Sequence, residues 1–123
     1  MKEFDELVEI MHRLRQECPW DREQNLQTLR RYMLEEAYEC VGALDEVPIH
    51  GLEPLIEELG DVLLQVLFQS ELIGEETKQK VIVQVLQTLK DKLIRRHPHV
   101  FGNQKSGTAE EVLNRWNEIK KSE

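Results

Sequence analysis

The sequence predicts an all-α protein, a bundle of four main helices followed by a short C-terminal helix. Two observations lead to this fold class. Apolar residues recur every three or four positions along most of the chain, and no segment alternates polar and apolar residues as a half-buried strand does. The chain has 123 residues, which suits one core, so we expect residues 1–123 to form a single domain.

The first half of the chain predicts two amphipathic helices. The first covers residues 2–17 and is interrupted at Pro19, because proline cannot continue the ladder of backbone hydrogen bonds. The second is expected over residues 25–45, and residues 48–51 are expected to form a connection. The apolar stripe of the second helix consists of Leu26, Leu29, Met33, Ala37, Cys40 and Leu44.

The second half predicts three further helices. The third is expected over residues 53–73, with Gly74 as its stop, and the fourth over residues 76–96. Thr108 and Glu111 are spaced as a capping box for the last short helix. The third helix is apolar on two sides and is therefore expected to be buried on both. Its main stripe is Leu55, Leu59, Val62, Leu63 and Val66, and its second side carries Leu64 and Phe68.

Charge and cysteine content exclude several classes of function. The net charge of −8 disfavours sequence-independent nucleic-acid binding, which relies on Lys and Arg to neutralise phosphates. Cys18 and Cys40 have no zinc or redox spacing, so we expect reduced thiols and a cytoplasmic protein. The longest apolar run, residues 62–68, is too short to span a bilayer. We expect neither nucleic acid nor membrane as a partner.

Two acidic clusters lie inside the second and third predicted helices. They are EEAYE at residues 35–39 and EELGD at residues 57–61. Residues three apart on an ideal helix differ by about 60° around the axis and about 4.5 Å along it, so they project together. The residues paired in this way are Glu36 with Glu39, and Glu58 with Asp61.

Two adjacent antiparallel helices would bring these four carboxylates together. Closely packed carboxylates repel one another and are costly to desolvate. A divalent cation relieves both costs, and all-oxygen ligation with room for water suits Mg²⁺ or Mn²⁺. An acidic run on one helix is more often a solvated face. Asp61 favours the metal site, because it directly precedes the apolar stretch VLLQVLF on a face that is otherwise expected to be buried.

Five segments, in this order, resemble the MazG nucleotide pyrophosphohydrolase family. They are CPWD at 18–21, LEEAYE at 34–39, EELGDVLLQVLF at 57–68, KLIRRHPHVFG at 92–102 and EVLNRWNEIKKSE at 111–123. The resemblance covers nearly the whole chain. It implies an all-α fold and hydrolysis of a nucleoside triphosphate to the monophosphate and pyrophosphate, with Mg²⁺ as cofactor and Mn²⁺ as a substitute.

The resemblance also implies roles for individual residues. The metal ligands would be Glu36, Glu39, Glu58 and Asp61, which match the family's acidic motifs. Glu35 matches the first residue of the first motif. Either Glu35 or Glu39 would accept the proton of the attacking water, and the sequence does not choose between them.

Further residues are candidates for substrate binding. Lys92, Arg95 and Arg96 match the family's basic segment, and Lys92 and Arg96 are four apart on one helix face, which suits phosphate contact. Basic residues at a helix C-terminus also complement its dipole without any ligand. Trp20 is expected in a loop, where its ring would stack on a base or pack into the core.

Other readings remain open at this point. The substrate would be a ribo- or deoxyribonucleoside triphosphate in nucleotide-pool housekeeping, or dUTP, dCTP or phosphoribosyl-ATP. A non-enzymatic helical interaction module is the main alternative, and it predicts that metal has no effect. Di-iron chemistry requires Glu-x-x-His motifs, whereas positions 39 and 61 are Glu and Asp. The doubly apolar third helix predicts a homodimer or a higher even homo-oligomer.

Overall fold

The computed structural model describes residues 1–105 and 107–123, and within these ranges the chain forms eight helices and no strand. The predicted all-α fold is confirmed, with four main helices and a shorter C-terminal one. The helices are α1 (Lys2–Glu17), α2 (Pro19–Glu23), α3 (Leu26–Asp45), α4 (Val47–His50), α5 (Glu53–Thr77), α6 (Val81–Arg96), α7 (Pro98–Phe101) and α8 (Ala109–Ser122).

The chain divides into two compact units, residues 1–82 and residues 83–123. Each unit is compact through its own internal contacts. The expectation of a single domain over residues 1–123 stays a prediction. Within the described part of the chain, no helix combines the length and the apolar character that crossing a membrane requires.

Three predicted boundaries differ from the structure. Gly74 does not end the third main helix, since α5 ends at Thr77 and is capped by Lys78 in a left-handed conformation, with a φ of 60°. The next helix therefore begins at Val81 rather than at residue 76. The segments expected as connections near Pro19 and Pro48 contain the short helices α2 and α4, because proline is well suited to the first turn of a helix.

The core of the first unit lies where α1, α3 and α5 meet. Leu29 and Phe68 are 1% and 2% exposed, and both belong to a cluster that also contains Met11 of α1. Burial of such side chains stabilises the fold by about 1.5–3 kcal/mol each. The remaining buried members are Leu67, Leu72 and Ile82, with Phe4, Val8, Tyr32, Leu63 and Val66 packed against them.

The buried face of α3 is rotated relative to the predicted stripe. Leu29 is buried as expected, but Leu26 and Leu44 are exposed, and the inward positions include Tyr32, Glu36 and Ala43. The error arises because α3 is apolar over more of its circumference than one neighbouring helix covers. Met33 and Ala37, also assigned to the stripe, are exposed as well.

The two apolar sides predicted for α5 do not separate in the structure, because Leu63 and Val66 of the main stripe pack against the same core as Phe68 of the second side. The face that carries Phe68 is the buried one, and it also contains Gln65 and Leu72. Leu59 of the expected main stripe is 54% exposed, and Leu64 is 40% exposed. Within the part of the chain that the structure describes, Leu59 and Leu64 are therefore left uncovered.

Local capping explains where α3 begins and how α2 is held. The Asn25 side chain accepts hydrogen bonds from the backbone of Gln27 and Thr28, and the Thr28 hydroxyl accepts one from the Asn25 backbone. The Arg15 guanidinium donates to the carbonyl oxygens of Asp21, Arg22 and Gln24, and also to the Glu75 carboxylate. Arg15 therefore fastens α2 to α1 and α5.

The second unit is organised by ion pairs between the end of α6 and the end of α8. Arg95 Nε and Arg96 Nη2 donate to the two carboxylate oxygens of Glu123 at 2.7 and 2.8 Å. The Arg96 guanidinium also lies over the Trp116 ring, 5.1 Å from its centroid. Thr108 is the N-cap of α8, and its hydroxyl accepts a hydrogen bond from the Glu111 backbone, which is one of the two bonds of the predicted capping box. The buried residues of α6 are Val81 and Ile82, at its start.

The ion pairs of Glu123 predict a pH-dependent contribution to stability. Hydrogen bonds from Arg95 and Arg96 lower the pKa of Glu123 from 4.5 to about 2. The stabilisation is therefore fully present above pH 4.5 and is lost as the pH falls through about 2. Thermal melts should show Glu123→Gln less stable than the parent at neutral pH, with the difference shrinking in acid. A constant difference at every pH would contradict this, and Glu118→Gln on α8 is the control.

Candidate metal centre

The helices α3 and α5 bring together the four carboxylates that the sequence analysis paired. One oxygen from each of Glu36, Glu39, Glu58 and Asp61 can be chosen so that all four lie within 4.8 Å of one another. Glu39 is exposed, whereas the other three are half-buried between the helices. The cluster of carboxylates is thus open to solvent at Glu39 and partly covered by α3 and α5 elsewhere.

The antiparallel arrangement of α3 and α5 produces this convergence. The Trp20 ring contacts Tyr32, which precedes the carboxylates of α3, and Phe68, which follows the carboxylates of α5. The two helices must therefore run in opposite directions through the site. Along α3, the buried Leu29 comes first, then Tyr32 and then the carboxylates.

Crowding of the carboxylates alters their acidity. Burial, and then the charges of Glu39 and Asp61, raise the pKa of Glu36 above its ordinary value. The same sequence of causes, desolvation followed by Glu39 and Asp61, raises the pKa of Glu58. Both groups are therefore held in a setting that disfavours their negative charge.

The chemistry of the group fits a divalent cation. Glu36 Oε2 and Glu58 Oε2 are buried and have no hydrogen-bond partner. An unpaired buried carboxylate oxygen is costly, because the lost hydration is not replaced. A hard cation would supply the missing positive charge, and a set of carboxylate oxygens is the ligand type that such ions prefer.

Glu35 lies apart from this group. Its carboxylate accepts a hydrogen bond from Arg31 Nε at 2.8 Å, one turn back along α3. That ion pair directs Glu35 along the exposed surface of the helix. Its predicted catalytic role stays a prediction, and the geometry brings Glu39 rather than Glu35 among the other carboxylates.

Trp20 lies in α2 rather than in a loop, and its ring contacts one aromatic residue of α3 and one of α5. Its ring meets Tyr32 and Phe68 edge-on, with centroid distances of 5.5 and 6.4 Å. The side chain remains 49% exposed. One part of the ring therefore packs on the core and another part is accessible to a ligand.

The three predicted basic residues belong to the second unit. Arg95 is exposed and Lys92 is half-buried on α6, while the Arg96 side chain is only 11% exposed. Both arginines are paired with Glu123. Sequence reasoning did not find this partner, because nothing in the spacing of the last residues indicates where the end of α8 lies.

Gln65 is a buried polar residue of α5 to which the sequence analysis gave no role. It interrupts the apolar run of α5 and is 6% exposed, and its side-chain oxygen Oε1 has no partner. A detectable signal existed in the sequence. Gln65 follows Asp61 by four residues, which places both on one face of the helix.

The sequence model of the MazG nucleotide pyrophosphohydrolase domain matches residues 24–101. The chain belongs to the MazG family. The matched range contains all four clustered carboxylates and the basic residues of α6, and it ends before α8. The MazG resemblance predicted from the five sequence segments is confirmed.

Curated relatives extend over almost the whole of this MazG-family chain. The uncharacterized protein YabN of Bacillus subtilis is 44% identical over 123 residues, which is 98% of this chain and 24% of that protein. A Thermotoga maritima protein named nucleoside triphosphate pyrophosphohydrolase/pyrophosphatase MazG is 44% identical over 122 residues, 98% of this chain and 45% of that protein. The nucleoside triphosphate pyrophosphohydrolase of Escherichia coli K12 is 41% identical over 126 residues, all of this chain and 46% of that protein.

The chain thus spans between about a quarter and about half of the length of these relatives. No solved structure matches it significantly.

The raised pKa of Glu36 predicts that Glu36→Gln stabilises the protein without metal and weakens the stabilisation that Mg²⁺ provides. Because the pKa of Glu36 is raised, ionising it as the pH rises above 4.5 destabilises the metal-free fold. Glu36→Gln is neutral at every pH, so it should melt higher than the parent at neutral pH without metal. Mg²⁺ at about 100 times its Kd should stabilise the parent by about 2.7 kcal/mol and the variant far less. An equal response to Mg²⁺ would contradict the site.

Proposed function

We propose that this chain is a Mg²⁺-dependent nucleoside triphosphate pyrophosphohydrolase, which converts a nucleoside triphosphate and water into the monophosphate and pyrophosphate. The observation that carries the proposal is the convergence of four carboxylate oxygens within 4.8 Å on α3 and α5. Membership of the MazG nucleotide pyrophosphohydrolase family supports the reaction, as do the names of the relatives from Thermotoga maritima and Escherichia coli.

Glu36, Glu39, Glu58 and Asp61 would hold the cation. Mg²⁺ fits this donor set, because it prefers carboxylate oxygens and keeps several waters, and Mn²⁺ is the expected substitute. When bound, the ion neutralises the phosphate oxygens and lets an anionic substrate approach an acidic site. The protein contributes a fixed set of ligands, since α3 and α5 are locked together by the buried Leu29 and Phe68.

The reaction needs a base for the attacking water. The water oxygen forms a bond to the α-phosphorus, the bond from that phosphorus to the bridging oxygen breaks, and pyrophosphate leaves. The proton released by the water passes to a carboxylate. Glu39 is the better placed of the two candidates, because it is exposed and lies among the other carboxylates. Glu35 is engaged by Arg31 and remains the second candidate.

Substrate contacts are proposed for basic and aromatic residues. Glu123 engages Arg95 and Arg96 through both of its oxygens, which is the geometry in which guanidinium groups also bind phosphate. These two arginines and Lys92 are therefore proposed to bind the β- and γ-phosphates. The accessible part of the Trp20 ring is proposed to stack on the base, because aromatic faces stack on bases with little selectivity.

The biological setting is proposed to be nucleotide-pool housekeeping in the cytoplasm. Cys18 and Cys40 are both free thiols, which agrees with a reducing compartment. The base and sugar preference stays open among ribo- and deoxyribonucleoside triphosphates, including dUTP and dCTP, and phosphoribosyl-ATP remains an alternative substrate.

The direct test is a product analysis with a panel of ribo- and deoxyribonucleoside triphosphates. Monophosphate and pyrophosphate should form with Mg²⁺ and should disappear with EDTA. Glu36→Gln and Asp61→Asn should each lower kcat/KM by at least about 100-fold, since each removes a charged ligand. Glu39→Gln should lower kcat, whereas Glu35→Gln should retain turnover. Diphosphate and phosphate as products would contradict the proposed bond cleavage, and turnover that is insensitive to EDTA would contradict the role of the metal.

We also propose that the chain forms a homodimer or a higher even homo-oligomer. In the first unit, Leu34, Tyr38 and Val41 of α3 are 59%, 71% and 53% exposed, and Ile56 and Leu59 of α5 are 64% and 54% exposed. So many large apolar side chains on neighbouring helices are unusual for a monomer. A second copy of the same chain would bury them and complete the interior that the doubly apolar α5 predicts.

The assembly is tested by native mass at micromolar concentration. The expected mass is an even multiple of 14.5 kDa. Leu59→Glu should shift it towards the monomer, because a carboxylate would be buried without a partner at the interface. Leu113→Glu on α8, at a site that is equally exposed, is the control and should leave the mass unchanged. A monomeric parent protein would overturn the proposal.

A further inference from the structure

Gln65 is a neutral polar residue buried in the interior of the first unit. Its side chain is 6% exposed, and its Oε1 atom has no hydrogen-bond partner. A buried acceptor without a donor destabilises a fold, so native proteins rarely keep one without a reason. The remaining buried side chains on this face of α5, among them Phe68 and Leu72, are either apolar or internally bonded. Ser70, for example, donates to the carbonyl oxygen of Val66.

The position of Gln65 connects it to the carboxylates. It follows Asp61 by four residues and Glu58 by seven, so all three share one face of α5. The rise from Asp61 to Gln65 is about 6 Å along the helix axis. On its other side, Gln65 is followed by the buried Phe68. Along α5, Gln65 therefore lies between the clustered carboxylates and the buried core residues.

Three buried oxygen atoms, one on α3 and two on α5, lack a hydrogen-bond partner. Glu36 Oε2, Glu58 Oε2 and Gln65 Oε1 are all acceptors, and none has a donor. The missing partner must therefore supply positive charge or hydrogen-bond donors. A hydrated Mg²⁺ ion supplies both, because it binds carboxylates directly and keeps several waters whose O–H groups can donate. A neutral amide fits the second task, because it accepts a hydrogen bond without adding to the repulsion among the carboxylates.

We propose that Gln65 is a positioning residue of the metal centre, whose Oε1 atom accepts a hydrogen bond from a water in the hydration shell of the bound Mg²⁺. This contact orients the hydrated ion on the side of Asp61 that faces the core. The inference rests on the metal centre of the proposed function, and it adds a residue outside the four carboxylates. Outer contacts of this kind commonly change metal affinity by about 10–100-fold.

The test measures metal binding to the full chain without nucleotide, by calorimetric titration with Mg²⁺ and with Mn²⁺. Gln65→Met removes the acceptor at nearly constant volume, and Gln65→Glu keeps an oxygen in the same place. We expect Gln65→Met to weaken the Kd for Mg²⁺ by about 10-fold or more, and Gln65→Glu to bind at least as tightly as the parent. Gln69→Met makes the same chemical change one turn further along α5 and is the control, with an unchanged Kd.

Thermal melts without metal separate positioning from structural support. Removing an unpaired acceptor should leave the metal-free melting temperature of Gln65→Met unchanged or raised, while its increase on adding Mg²⁺ becomes smaller than that of the parent. A lower metal-free melting temperature with an unchanged Kd would assign Gln65 a purely structural role and overturn the proposal. If Gln65→Met does not fold, Gln65→Asn withdraws the same oxygen by one methylene, and undiminished affinity in that variant would also overturn it.

The parent protein and Glu36→Gln distinguish the two levels of failure. If the parent binds no Mg²⁺, the proposed metal centre itself is wrong. If the parent binds Mg²⁺, Glu36→Gln loses it and Gln65→Met binds as the parent does, only the role of Gln65 is wrong. An effect of Gln65→Met on nucleotide affinity alone, with metal affinity unchanged, would assign the residue to substrate contact and overturn the proposal.

Discussion

Repulsion among Glu36, Glu39, Glu58 and Asp61 is the constraint on which the first unit depends. Two unit charges about 4 Å apart repel by roughly 1 kcal/mol in water and roughly 4 kcal/mol near a protein surface. With four oxygens within 4.8 Å, the metal-free site opposes the packing of α3 on α5. Burial, and after it the charges of Glu39 and Asp61, raises the pKa values of Glu36 and Glu58. A site that binds a cation must be held together by forces located elsewhere.

Those forces lie in the layers next to the carboxylates. Leu29 and Phe68 are almost completely buried where α3 meets α5, and Trp20 contacts both the Tyr32 and the Phe68 rings. Arg15 holds α2 in place through three backbone carbonyl oxygens. Apolar packing therefore holds the two helices together at the core, while the carboxylates repel one another further along the same helices. If the four carboxylates bind a cation as proposed, this arrangement would supply ligands that need not be assembled on binding, which would limit the reorganisation cost.

The helices and the acidic group followed from the sequence because both depend on spacing alone. The pairs Glu36 with Glu39 and Glu58 with Asp61 converge as their three-residue separation requires. The stripe on α3 and the end of α5 were predicted wrongly, because apolar residues such as Leu26 and Leu59 surround much of each helix, and only tertiary contacts decide which face is covered. Gly74 failed as a stop, since its conformational freedom permits a helix end but does not impose one. Partners distant in sequence, such as Glu123 for Arg96, carry no local signal.

The central claim is that these four carboxylates together form one binding site for divalent cations. Crystals soaked in Mn²⁺ and measured at a wavelength where manganese scatters anomalously test it most directly. The account predicts an anomalous peak among Glu36, Glu39, Glu58 and Asp61, within about 2–2.5 Å of their oxygens, that disappears in crystals of Asp61→Asn. An anomalous peak located away from these four residues would contradict the claim, and so would a peak among them that is unchanged in Asp61→Asn.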